Sequence, residues 1–429
     1  MASTSVSKKS GLDFGYISGA EWLVIIGAFL GTYVFMFYQT TIQVLGAFFG
    51  MDSFEVGIGF ALFTVAFATA AFVMHKFKPV QLRNAEMLSL VLLGVTMPLY
   101  LFVKEMAEAY TLMTVDGLLV GLIIDSFMTM AGMASLDQSK RQIEQAAFAF
   151  WTSLASIVAA FTTGLLLKLG IAELFGISAV MALIGVAFVA GLRGKHSLKY
   201  VPEPREKGEK VKISSLFKNR QFDWAFVSAL GYTIPFFMLM SFGVRYGHVI
   251  GFSAETVFYL FAVMFTINVV TRLYLRMKSP IVNKYPYMVA ALVFATLAAF
   301  VLYGSFYVGA LFYLAFVLIA IPYGIVWTLG LQIANTSFKA NEIPTSTSFF
   351  SSGMMIMSAV MPVIGIMSSD RSIGFGKTFL TFAIVTFVFL LIEVFLRPTK
   401  AKANATGSNP SSMASPVQAE SFEKSKTLQ

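Results

Sequence analysis

The sequence predicts an all-α integral membrane protein: about twelve transmembrane helices in two six-helix halves. Three observations lead there. The chain has 429 residues, 57% of them hydrophobic and only 12% charged, with a mean hydropathy of +0.76, whereas a soluble domain carries about 25% charged residues. Its apolar runs each approach the roughly 20 residues a helix needs to cross a bilayer. The runs after residue 222 also repeat those before residue 193 at a constant offset of 201 residues.

In chain order the runs cover residues 22–48, 54–75, 85–103, 109–136, 144–168 and 172–193, then 223–247, 254–275, 286–304, 307–335, 343–369 and 373–397. The expected organisation is an N-terminal half (1–193), a basic linker (194–221), a C-terminal half (222–397) and a Ser-, Ala- and Lys-rich tail (398–429). Composition of this polar, low-hydrophobicity kind predicts disorder in the tail. The first residues lack the short apolar core of a signal peptide, so the first run should stay as a span.

The offset of 201 sets Gly50 on Gly251, Val56 on Val257, Phe60 on Phe261, Ala61 on Ala262, Pro79 on Pro280 and, without a gap, Gly164 on Gly365. Two parallel repeats are what a rocking carrier needs, each moving as a body with the site between them. Basic residues concentrate in alternate loops, among them Lys76, Lys78, Lys140, Arg141, Arg276 and Lys278, and in the linker. The positive-inside rule then places both termini and the linker in the cytoplasm, with the protein multi-pass in the plasma membrane. The formal charge of +9 is accounted for by those loops and does not point to nucleic acid.

Enzyme readings do poorly. With Cys 0 and His 3 there is no thiolate chemistry and no HExxH; no phosphate-cradling glycine loop is present, so no metal, cofactor or ATPase is expected. A channel is the second class, but pore-lining rings or a carbonyl filter are not in view. A receptor that binds without transporting is the third. The expected partners are a small-molecule substrate, protons and the lipid bilayer, for a functional monomer.

The fourth run carries the most unusual residue. Asp125 lies 15 residues after Tyr110 and 12 before Asp137, near the middle of the hydrocarbon at about 1.5 Å per residue. A carboxyl there costs about 2.5–3.5 kcal/mol even on the lenient insertion scale, so it should face protein or a watery cavity. Gly117, Gly121 and Asp125 are four apart, which puts the acid on a small-residue stripe suited to a close helix neighbour. Such a carboxyl can take a proton from one side and release it to the other; Asp125 is the expected coupling residue. Asp116, nearer the outer end and within reach of water, is the second.

Several stretches resemble the major facilitator superfamily of secondary transporters. Ser215-Leu216-Phe217-Lys218-Asn219-Arg220-Gln221-Phe222 is similar to the family's lead-in to its seventh span, and Gly251-Phe252-Ser253-Ala254-Glu255-Thr256-Val257 to the start of its eighth. The loop after the second span reads His75-Lys76-Phe77-Lys78-Pro79 and its repeat Arg276-Met277-Lys278-Ser279-Pro280, basic as in the family but without the family's acid. The fourth span lacks the Arg of many drug antiporters, which favours symport over efflux of apolar or cationic compounds, the alternative reading. The resemblance implies alternating access, with the first helix of each triplet lining the cavity. It makes Thr32, Gln39 and Gln43 of the first span and Tyr232 and Thr233 of the seventh candidate substrate contacts, joined by Asn268 and Trp327. His75, Lys76 and Arg276 then belong to an inner gate, together with Arg272 near the cytoplasmic end, where its side chain can snorkel. Arg245 is the candidate outer-gate residue, facing Asp52 or Asp116. Pro235 interrupts the apolar run of the seventh span, freeing a backbone carbonyl and permitting a bend there.

Overall fold

Hydrocarbon offers backbone N–H and C=O groups no partner, so each apolar run must satisfy them within itself, as a helix. The computed structural model of the chain describes residues 19–74, 79–132, 138–192, 213–338, 342–370 and 374–396. Among them the helices are α1 (Gly19–Phe48), α2 (Ser53–Met74), α3 (Pro79–Leu99), α4 (Met106–Gly132), α5 (Gln138–Leu166) and α6 (Ile171–Ala190). A short α7 (Ile213–Leu216) leads into α8 (Arg220–Val249), α9 (Ala254–Lys278), α10 (Tyr285–Gly304), α11 (Leu311–Thr336), α12 (Ile343–Ile356), α13 (Met361–Ser369) and α14 (Gly374–Phe395). Twelve candidate spans result, α12 and α13 forming one of them, and no strand occurs among the described residues.

The seventh span is one helix, α8, which runs through Pro235 for 30 residues. One local outcome differs from the expectation. The eleventh span, expected as one run, is broken: a 3-10 turn at Met357–Val360 separates α12 from α13. The cause is Pro362, which has no N–H to give and whose ring crowds the carbonyl of residue i−4, here Ser358.

The lead-in before α8 has a structural task. The Asn219 side chain accepts from the backbone N–H groups of Gln221 (3.0 Å) and Phe222 (3.4 Å), capping two of the helix's orphan donors. Its Nδ2 donates to the Ser337 carbonyl at 3.0 Å, fastening the start of α8 to the end of α11.

The sequence repeat is a repeat in atoms. At the α1–α2 turn, Met51 N–H bonds to Gly46 O at 2.7 Å; at the α8–α9 turn, Phe252 N–H bonds to Gly247 O at 2.8 Å. Gly50 and Gly251 both take positive φ, 67° and 91°, a conformation that costs glycine little. A Cβ on Gly46 would stand 2.5 Å from Val56 Cγ2, and one on Gly247 would stand 2.6 Å from Val257 Cγ2. Every pair is 201 apart.

The two sets of six spans meet along two seams, α2 against α12 and α13, and α5 against α9. In the first, Gly57 faces the Met361 carbonyl and Gly365 the Ser53 carbonyl, close enough that a Cβ would lie 2.7 Å and 2.4 Å from them. In the second, long side chains carry the polar contacts. Lys168 pairs with Glu255 at 2.7 Å, and a Cβ on Gly164 would meet only the Phe258 Cβ, at 3.4 Å.

Candidate functional site

Asp125 is where the two sets touch most informatively. Its side chain is fully buried, and the Ser348 hydroxyl of α12 donates to its Oδ2 at 2.7 Å. Oδ1 has no hydrogen-bond partner. The glycine stripe below it packs as expected: a Cβ on Gly117 or Gly121 would stand 2.1 Å or 2.5 Å from the Phe63 or Phe67 carbonyl of α2. Asp125 is 19 residues after Met106 and 7 before Gly132, the last described residue of α4, so it lies off the helix midpoint toward the end of the bundle where α6 ends and α8 begins (the linker end).

The structure corrects the reading of Asp116. It does not reach water at the far end of the bundle; it is fully buried inside the first set. Thr96 Oγ1 donates to its Oδ1 at 2.6 Å, Tyr100 stands beside it, and Tyr100 shares a 2.9 Å hydrogen bond with Tyr38. All of these partners belong to α1 and the α3 region, so among the described residues Asp116 is bonded within the first set.

Arg272 is corrected too. Instead of snorkelling to the surface, it is 2% exposed. Its Nη1 crosses to the first set, donating to the Ala149 carbonyl at 2.8 Å and to Thr152 Oγ1 at 3.5 Å. The guanidinium carbon lies 4.9 Å from the Tyr323 ring centroid and 5.7 Å from that of Trp327. Asn268, one helical turn before it, is fully buried with neither amide atom partnered. Tyr232 joins the cluster through Tyr323, ring centroids 6.3 Å apart, while its hydroxyl points to Met354 Sδ at 3.6 Å. Thus Tyr232, Asn268 and Trp327 come together, around an Arg that the sequence suggested for the membrane rim.

The other expected residues are more dispersed. Gln39 is fully buried in α1 with both amide atoms unpartnered among the described residues, and Thr32 is buried two helical turns before it on the same face. The Thr233 hydroxyl is satisfied within α8, by Ala229 O at 2.9 Å and Leu230 O at 3.0 Å. Arg276 lies over the Phe150 ring of α5 at 5.8 Å. Arg245 reaches across the sets, but not to Asp116: Nη1 donates to Ser53 Oγ (2.8 Å) and Nη2 to the Met51 carbonyl (2.5 Å). The Gln43 side chain and all of His75 and Lys76 lie outside the described residues.

Two groups were missed, and Gln332 adds a further tie. Tyr323 carries the aromatic contact to Arg272. Ser348, Ser352 and Ser358 tie α12 and its following turn to the first set, Ser352 donating to Ala68 O at 2.8 Å and Ser358 bonding Thr64. Gln332 Nε2 donates to the Gln142 carbonyl at 3.2 Å. The signal for the serines was in view: Thr345-Ser346-Thr347-Ser348 and Ser351-Ser352 form a hydroxyl-rich stretch within an otherwise apolar run.

The sets are thus tied at the linker end (Arg272, Gln332), in the interior (Asp125–Ser348) and at the far end (Arg245, Lys168). No curated protein matches the chain in sequence. Among solved structures, it resembles the proton:xylose symporter XylE bound to 6-bromo-6-deoxy-D-glucose, with a TM-score of 0.67 at 11% identity over 90% of this chain and 96% of that one. The nucleoside transporter NupG gives 0.66 at 12% identity, over 89% and 100%, and the human organic anion transporter MFSD10 gives 0.65 at 13%, over 88% and 98%. At such identities the likeness is one of fold. The family model for the Major Facilitator Superfamily matches residues 22–360, which span the first set, the linker and most of the second; the chain belongs to that superfamily of membrane transporters.

Proposed function

We propose that the chain is a proton-coupled symporter for a small organic solute, working by alternating access in the plasma membrane with both termini in the cytoplasm. The observation that carries this reading is the Ser348–Asp125 hydrogen bond. A carboxyl whose partner belongs to the other set must change its surroundings whenever the sets part, and a change of surroundings is what makes a carboxyl bind or release a proton. Proton-driven export is the second reading, favoured by the aromatic lining of Tyr232, Phe236, Tyr323 and Trp327. The two differ in whether solute and protons enter proteoliposomes together or exchange, read with an internal pH dye on addition of solute. Saturation and counterflow mark a carrier; a conductance without exchange would remove it.

The solute is found by a melting-temperature screen of the purified chain, because a ligand that binds only the folded state stabilises it. Gln39 then provides a second test. Its two buried amide atoms are unpartnered, so Gln39→Leu removes a desolvation cost and should leave the melting temperature equal or higher. If the amide binds solute, affinity falls about 2–13-fold, the equivalent of about 0.5–1.5 kcal/mol. A lower melting temperature with unchanged affinity would make Gln39 a packing residue.

Arg245 is proposed as the far-end gate. Charge-assisted hydrogen bonds contribute about 1.5–3 kcal/mol each, and Arg245→Ala removes two. Labelling of a cysteine introduced at Phe237, whose ring lies 5.4 Å from Phe60 across the interface, should rise at least about tenfold with an impermeant maleimide. Unchanged labelling would leave Arg245 as a surface anchor.

A further inference from the structure

The cluster around Arg272 has a property the coupling reading does not use. The guanidinium is buried, yet no carboxylate lies within ion-pair distance of it among the described residues. Removing a cation from water is expensive unless a counter-charge or a full set of hydrogen bonds replaces the water. Here one nitrogen, Nη1, is bonded to α5. The other two, Nε and Nη2, have no hydrogen-bond partner among the described residues, the Tyr323 hydroxyl being another polar group beside the cation. Those two atoms form the side edge of the guanidinium, whose parallel N–H groups match the two oxygens of a carboxylate.

What surrounds the guanidinium is suited to an organic acid. Tyr323 and Trp327 give the cation partial compensation through their ring faces, and cation–π contacts of this kind recover only part of a lost ion pair. The Trp327 indole N–H and the Asn268 amide are buried donors without a partner. Phe236 stacks on Tyr323, centroids 4.6 Å apart, and Tyr232 adjoins both at a tilt, which makes an apolar aromatic group beside the charge. Arg272 is the cation that the rings of Tyr323 and Trp327 face, and Arg276, one helical turn on, lies over Phe150 of α5 instead, so the arrangement suits a single carboxylate.

We propose that Arg272, Asn268 and Trp327 bind the carboxylate of a small organic monoanion, whose apolar portion lies against Tyr232, Phe236 and Tyr323. The proposal rests on the carrier reading only for its consequence: bound at the seam between α9 and α5, such an anion would be the transported solute.

The test uses the full chain, purified, with benzoate and lactate as probes and benzamide and lactamide as neutral partners of the same shape. Both carboxylates should raise the melting temperature in a saturable way, and the amides should bind at least tenfold more weakly. Arg272→Gln should weaken carboxylate binding at least tenfold, and Arg272→Lys should recover only part of it, since it restores the charge without the fork. Should Arg272→Gln not fold, Trp327→Phe and Asn268→Leu serve instead, each weakening benzoate several-fold while leaving the melting temperature of the unliganded protein close to wild type. The site is overturned if neither carboxylate shifts the protein, if the amides shift it equally, or if a folded Arg272→Gln responds as wild type does. Counterflow of labelled lactate in proteoliposomes is read separately. Binding without exchange would retain the site and remove the carrier; exchange of a neutral solute by protein that ignores both carboxylates would do the reverse.

Discussion

Asp125→Asn should abolish accumulation and spare exchange. In a one-proton symporter, a gradient of one pH unit supplies about 1.4 kcal/mol, enough for roughly tenfold accumulation of solute. Asparagine keeps the size of the side chain and can still accept from the Ser348 hydroxyl, but it cannot take up a proton. Wild-type proteoliposomes under that gradient should approach the tenfold ratio, and Asp125→Asn should stay near unity. Exchange of labelled for unlabelled solute at equal pH needs no net proton movement and should persist in both. Ser348→Ala should fall between them, because it removes the partner and leaves the carboxyl. A mutant that accumulates solute as wild type does would make Asp125 a buried packing acid and return the coupling role to another group.

The second large effect is expected at the α2–α13 seam. Adding one methyl group at Gly57 or Gly365 places it 2.7 Å or 2.4 Å from a backbone carbonyl of the other set, where no rotamer change can relieve the overlap. Overpacking costs about 1–3 kcal/mol, and it falls on the closed arrangement alone, since each set packs internally without that contact. The closed population should drop about 5–150-fold. Gly57→Ala and Gly365→Ala should therefore express and melt as membrane proteins do, label at a Phe237 cysteine from the far side, and transport at least tenfold more slowly. The chain has no cysteine of its own, so the label reports that site alone. Gly117→Ala is the control: its clash, 2.1 Å from Phe63 O, lies within one set and should lower expression or melting temperature. Wild-type transport by both seam variants would show that the closed seam is not part of the cycle.

The spans, the repeat and Asp125 were legible because each is written along one helix. Length against bilayer thickness fixes a span, a constant offset fixes a repeat, and an acid among twenty apolar residues announces itself. Which helices meet is not written that way. In a soluble helix the contrast between apolar and polar faces shows the inner side, but in a bilayer both faces are apolar, so the pattern fades. Arg272 illustrates this. Six residues from the end of α9, it could equally reach the surface or turn inward, and only the placing of Ala149, Tyr323 and Trp327 on α5 and α11 decides it. Asp116 failed for the same reason, since Thr96 and Tyr100 are brought beside it by packing of α3 on α4. The Ser348 contact joins residues 223 positions apart, a pairing no local pattern can reveal.

The two seams differ in what they can do when pulled. Along α2 and α13 the neighbours are carbonyls and α-carbons, rigid groups that fit at one distance and at no other. Along α5 and α9 they are Lys168, Glu255 and Arg272, long side chains that can stretch, swing and find the next carbonyl along the helix. The first seam must come undone as a whole, like a zip, while the second can stay fastened and slide. The molecule should then open askew, pivoting about α5 and α9 as a book opens about its spine, and its mouth should appear first on the α2 side.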